Sequence, residues 1–232
     1  KPLKNIHFVN SGIASYSPSL MSIQLDILEK DFGIFPDILI SYIDQTDIGD
    51  ENCRYKHKKI FQNSSLLAVE PESYYSNRSI FNYSKIYSLS QISLSDYSDT
   101  VKTFKLINFK IKYKLIRLIK KNKRVKCYYG ELEKYLINPQ SAQIQYFEKS
   151  LNEYLKKIKQ KKNIKKVFLV TFPHKKHFEK SYSYNVSSSV DKVSKNNTLV
   201  KHINFSKILL NNKEFKYKDI WNRDQIHLDF IN

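Results

Sequence analysis

A chain of 232 residues with 41% hydrophobic and 14% aromatic side chains has enough apolar surface for one substantial core, which excludes an intrinsically disordered protein. Four scattered glycines, Gly12, Gly33, Gly49 and Gly130, cannot assemble a dinucleotide fingerprint or a phosphate-cradling loop, and no apolar run approaches the ~20 residues of a membrane-spanning helix. The formal charge of +18 invites a polyanion reading, but only five of the 40 basic residues are arginine and the Lys, Asn, Ile, Tyr and Phe content follows AT-rich codons, so no specific nucleic-acid partner is expected.

Ile6-His7-Phe8-Val9 is a short apolar run that stops at Asn10-Ser11-Gly12, which predicts a buried strand ending in a tight turn. Ser17 as N-cap, Pro18 at the first helical position, and Leu20, Ile23, Ile27 and Leu28 at helical spacing predict a helix that Gly33 ends. After Pro36, the segment Ile38 to Ile43 is nearly all apolar, as in a strand covered on both faces, so strand, helix and strand form a parallel βαβ unit. From about 50 to 100 the periodicity dissolves into Ser, Tyr and Asn, which predicts an irregular insertion.

Between Val101 and Lys126 eleven basic and no acidic residues interleave with Phe104, Ile107, Ile111, Leu115, Leu118 and Ile119. That is an amphipathic helical pattern, its lysine face solvated or in weak contact with an anionic surface through 102–126. A helix follows from Ser141 to about Gln160, then a strand Val167–Thr171 closed by Pro173, a weaker helix over Tyr184–Ser194, and a strand Leu199–Asn204. This alternation predicts one α/β domain over 1–232, a three-layer α/β/α sandwich on a mostly parallel sheet. Cys53 and Cys127 read as two isolated thiols, which leave the compartment open between bacterial cell envelope and cytoplasm.

In open parallel sheets, reactive groups gather beyond the carboxyl ends of the strands. Four such turns carry polar residues: Asn10-Ser11-Gly12, Asp44-Gln45-Thr46-Asp47, His174-Lys175-Lys176-His177 and, near the carboxyl end, Asp224-Gln225-Ile226-His227. An aspartate three residues before a histidine can accept its Nδ1 proton and leave Nε2 as a general base. Asp47 reads as a turn-capping residue. His174 and His177 lack a third ligand nearby, so no metal and no cofactor are expected.

Taken together, Asn10-Ser11-Gly12-Ile13-Ala14-Ser15-Tyr16-Ser17-Pro18, the strand ending in Asp44-Gln45-Thr46-Asp47, the strand Val167-Phe168-Leu169-Val170-Thr171-Phe172-Pro173-His174 and Asp224-Gln225-Ile226-His227-Leu228 resemble blocks of the SGNH (GDSL-like) hydrolase superfamily. The resemblance implies a flavodoxin-like sheet and a serine-dependent ester hydrolase acting on a small-molecule or glycan ester. Asp224 and His227 would be catalytic, and the Gly12 backbone and Thr46 would serve as oxyanion donors. Two departures stand out: Thr46 occupies the place of the family's asparagine, and no Gly-Asp-Ser block is present. The nucleophile is therefore expected upstream of Lys1, with Ser11 as the alternative. In the strand order 2-1-3-4-5 that absent block also carries the central first strand. The expectation is thus a sheet lacking it, in a domain truncated at its amino end and also at its carboxyl end. An O-acyltransferase of envelope polysaccharide and a catalytically inactive, basic binding module are the alternative functions.

Overall fold

The computed structural model describes residues 6–62, 65–70, 127 and 129–210. Its elements in chain order are α1 (Pro18–Phe32), β1 (Ile38–Tyr42), α2 (Asp47–Gly49) running into a π-helical segment (Asp50–Tyr55), β2 (Lys59–Gln62), β3 (Ser65–Val69), α3 (Tyr129–Ile137), α4 (Ser141–Lys159), β4 (Lys166–Thr171), α5 (Lys175–Phe178), α6 (Val186–Ser194), β5 (Val200–Asn204) and α7 (Phe205–Leu210). β1, β4 and β5 form a parallel sheet in that order, with Leu39 opposite Val167 and Leu169 opposite His202. β2 and β3 form a separate antiparallel hairpin. The class is α/β with a parallel sheet, as the alternation of apolar runs implies.

Strand alternation divides the sheet into two unlike faces. Leu39 and Ser41 on β1, Val167, Leu169 and Thr171 on β4, and Val200 on β5 point to one side. There they meet a core built from Phe147, Leu151, Tyr154, Leu155 and Ile158 of α4 and Val186 and Val190 of α6. Helical spacing of these α4 residues makes the stripe, and Tyr154 ties it to the sheet through a 2.6 Å bond with Ser41. The opposite face of β1 carries Ile38, Ile40 and Tyr42, which are 58%, 67% and 45% exposed. Among the described residues the sheet therefore has one covered face, so the α/β class stands and a second helical layer is not part of what is described.

Several sequence expectations are corrected. Ile6–Val9 is not a strand: it has no ladder partner among the described residues, and Phe8 is 87% exposed. An apolar run becomes a strand only where a neighbour satisfies its backbone groups. β1 correspondingly has a neighbour on one side only among the described residues. The insertion expected over 50–100 is ordered in its first part, as the π-helical segment and the β2–β3 hairpin; its part beyond Glu70 lies outside the described residues, as does the basic segment 102–126. Cys53 and Cys127 are not isolated thiols but a disulfide that spans 74 residues of sequence. Their pairing is a long-range contact that spacing cannot reveal.

Ser17 occupies the N-cap of α1, yet its own side chain does not cap. Buried Glu51 does so from across the fold, accepting from the Ser19 amide at 2.8 Å and from the Ser17 hydroxyl at 2.6 Å. Two glycines have structural reasons: Gly33 ends α1 at φ +64°, and a Cβ on Gly49 would lie 2.8 Å from the Leu132 Cα where α3 crosses. No helix among the described residues is long and apolar enough to cross a membrane.

Candidate functional site

The carboxyl ends of β1 and β4 meet in a half-buried polar cluster. β1 runs out into Asp44, which accepts four hydrogen bonds. Thr46 donates to its Oδ1 from the backbone amide at 2.9 Å and from the hydroxyl at 2.6 Å; Tyr42 and His174 donate to its Oδ2, each at 3.1 Å. Burial by itself raises the Asp44 pKa, but the His174 and Thr46 donors outweigh it and hold the carboxyl well below the usual range. Burial together with the Asp44 charge pushes the Tyr42 phenol up. His174 sits at the N-cap of α5 just past β4 and is 1% exposed. Its Nε2 faces a carboxylate that can only accept, so Nε2 carries the proton, and its Nδ1 is buried with no partner among the described residues.

His177, one turn on, donates from Nε2 to the Tyr184 carbonyl at 3.1 Å and accepts the His174 amide on Nδ1, also at 3.1 Å. Those roles define a neutral ring, in keeping with a pKa pushed down to about 4 by burial and then by His174. Gln45 clamps the same rim: its amide donates to the Phe172 carbonyl at 2.6 Å, and its oxygen accepts from Val186 at the start of α6 at 3.0 Å.

Acidic groups continue along α2 and the π-helical segment. Asp47 accepts from the Asp44 amide at 3.1 Å, and its pKa is raised well above the normal value by burial and by the charges of Asp44 and Asp50. It caps this turn, as its position suggests. Asp50 is raised to about 7, mainly by burial, with Arg54 opposing. Glu51 is lowered despite burial, because Lys59, Ser17 and Ser19 all donate to it.

The glycine turn is tied to this same segment. Ser15 accepts from Arg54 and Tyr55, and Ser17 and Ser19 bond Glu51, so 15–19 lies along 51–55, which continues from Thr46. Gly12 itself is exposed, and its amide donates to Asn10 Oδ1 at 3.0 Å. The neighbouring carbonyl of Ser11 accepts from Gln24 of α1. Asp224 and His227 lie outside the described residues.

One arrangement at the rim was missed by the sequence reading. His202 on β5 bonds Asp191 of α6 through Nδ1 at 2.6 Å and Thr171 of β4 through Nε2 at 2.8 Å. The chain of hydroxyls runs on from Thr171 to Ser187 at 2.8 Å and to Ser206 at 3.2 Å. This is the carboxylate–imidazole–hydroxyl order of a general-base array. Thr171 is fully buried, however, so the array braces α6 against the sheet instead of presenting a nucleophile. The signal for it was a histidine at an inward-facing strand position, opposite Leu169. Among the described residues no group of three or more His, Cys, Asp and Glu side chains is arranged to hold a metal ion. Comparison of the chain with protein-family models, curated proteins and solved structures finds no match.

Proposed function

We propose that the protein is a serine-dependent ester hydrolase of the SGNH type, acting on a small-molecule or glycan ester. The observation that carries the reading is the β1 exit: a hydroxyl and an amide of Thr46 lie at the carboxyl rim of a parallel sheet. Gly12 supports it. A Cβ there would crowd Asn10 Oδ1 at 3.3 Å, the acceptor of the Gly12 amide, so glycine keeps that exposed amide unobstructed for a ligand.

In this mechanism a serine hydroxyl attacks the ester carbonyl, His227 takes the hydroxyl proton, and Asp224 orients His227. The Gly12 amide and the Thr46 hydroxyl then turn from Asn10 and Asp44 to the developing oxyanion. Asp44 tolerates the exchange, because Tyr42, His174 and the Thr46 amide still donate to it. The alcohol leaves with the proton from His227, and water, deprotonated by the same imidazole, releases the acid.

The test is covalent labelling of the full-length protein by a fluorophosphonate, with the labelled residue mapped. Labelling at a serine is expected, and His227→Ala should lower turnover of a nitrophenyl acyl ester by about 10⁴-fold or more. Loss of label in Ser11→Ala would make Ser11 the nucleophile. Absence of label, or undiminished turnover in His227→Ala, overturns the proposal.

A further inference from the structure

Ser15 stands at the downstream side of the glycine turn with φ +62°, a left-handed conformation that an L side chain keeps only when its surroundings hold it there. Two consecutive residues of the π-helical segment supply the hold. Arg54 Nη1 donates to Ser15 Oγ at 2.9 Å, and the Tyr55 hydroxyl donates to the Ser15 carbonyl at 2.5 Å. Within the turn the Tyr16 amide bonds the Ile13 carbonyl at 3.2 Å. The base of this clamp is itself anchored. Arg54 lies 2.9 Å from Asp50 and donates through Nε to the Cys127 carbonyl at 3.3 Å, while Cys53 beside it is disulfide-bonded to Cys127. Tyr55 is 9% exposed and packs with Ile23 and Val69. A rigid, cross-linked segment thus grips Ser15, three positions from Gly12, on the side of the turn opposite to Ser11, whose carbonyl Gln24 holds.

We infer that Arg54 and Tyr55 are positioning residues that aim the Gly12 amide by fixing Ser15; the inference rests on the ester-hydrolase reading of that turn. Neither side chain needs to touch substrate. Each acts through the backbone at Ser15, whose dihedral angles set the direction in which the chain leaves the turn. An oxyanion donor displaced by a fraction of an ångström loses its bond to the transition state while the rest of the substrate still binds. Weakening the clamp therefore lowers kcat and leaves KM nearly unchanged.

The test uses full-length Tyr55→Phe, which removes one oxygen and keeps the buried ring, together with Arg54→Gln and the conservative Arg54→Lys. Backbone amide exchange of a peptide covering 10–17 and nitrophenyl-ester kinetics are measured on each. Exchange faster by about tenfold in Tyr55→Phe and Arg54→Gln is expected, with kcat down by about tenfold, KM within about twofold, and partial recovery of both readouts in Arg54→Lys. Unchanged exchange in both variants overturns the clamp, whatever the kinetics. Faster exchange with unchanged kcat overturns the positioning role in an active enzyme. Faster exchange in the variants, when the wild-type protein neither turns over ester nor takes the fluorophosphonate, defeats the hydrolase reading and the positioning role with it, leaving a structural clamp alone.

Discussion

Replacing Glu51 by glutamine isolates the most heavily bonded charge among the described residues. The carboxylate is 0% exposed and accepts from Ser17, Ser19, Lys59 and Ser150 at 2.6–2.9 Å, so it joins α1, β2 and α4. The Lys59 side chain is itself only 5% exposed. In Glu51→Gln the side chain keeps its shape, but an amide N–H can face the ammonium and the buried positive charge is left, among the described residues, with the Ser150 hydroxyl at 3.2 Å and with Tyr146, through its side-chain hydrogen bond and its ring at 4.9 Å. Removing one partner of a buried ion pair costs about 3–5 kcal/mol, a large fraction of the ~5–15 kcal/mol by which domains are stable. Replacing both partners costs less, because no charge is then stranded. Urea unfolding at pH 7 of the wild type, Glu51→Gln, Lys59→Met and the double variant should give a coupling of about 2 kcal/mol or more. The pH dependence has a definite sign. Because folding lowers the Glu51 pKa below its ordinary 4.5, the stabilisation is present above that value and is lost as the pH falls through the folded one, a loss Glu51→Gln lacks. A Glu51→Gln protein within about 1 kcal/mol of wild type, or a double variant equal to the sum of the singles, refutes the reasoning.

Asp50 has the opposite sign. Its pKa rises from 3.8 to about 7 on folding, so the folded state holds the extra proton and stability falls as the pH rises between those values, by about 1.4 kcal/mol per pH unit at most. Asp50→Asn should make the slope of stability against pH between 5 and 7 less negative than that of the wild type in thermal or urea unfolding; an unaltered slope refutes the assignment. The Cys53–Cys127 bridge closes a loop of 74 residues, for which chain entropy predicts about 4 kcal/mol. Dithiothreitol, or Cys53→Ser with Cys127→Ser, should lower the urea midpoint accordingly, and equal midpoints with and without reductant would exclude a cross-link that matters to stability.

What the sequence alone determined was local. The helix from Pro18 to Gly33 follows from proline at its start, glycine at its end and an apolar stripe between; α4 follows from its stripe, and β1, β4 and β5 from short apolar runs closed by polar turns. Their parallel order follows from the alternation with helices. The polar exit of β1 and the glycine turn were legible as candidate chemistry for the same reason: each lies within a few residues of an apolar run. What only the tertiary structure decided was which distant groups meet. Glu51 replaces Ser17 as the cap of α1, His174 crosses 130 positions to Asp44, and Cys53 finds Cys127. His202 turns inward between Asp191 and Thr171. Ile6–Val9 shows the converse, because its apolar pattern is that of a strand but a strand exists only beside a partner. Periodicity reports which side of an element is apolar; pairing depends on three-dimensional closure, in which residues far apart in the chain satisfy one another's charges and hydrogen bonds away from water.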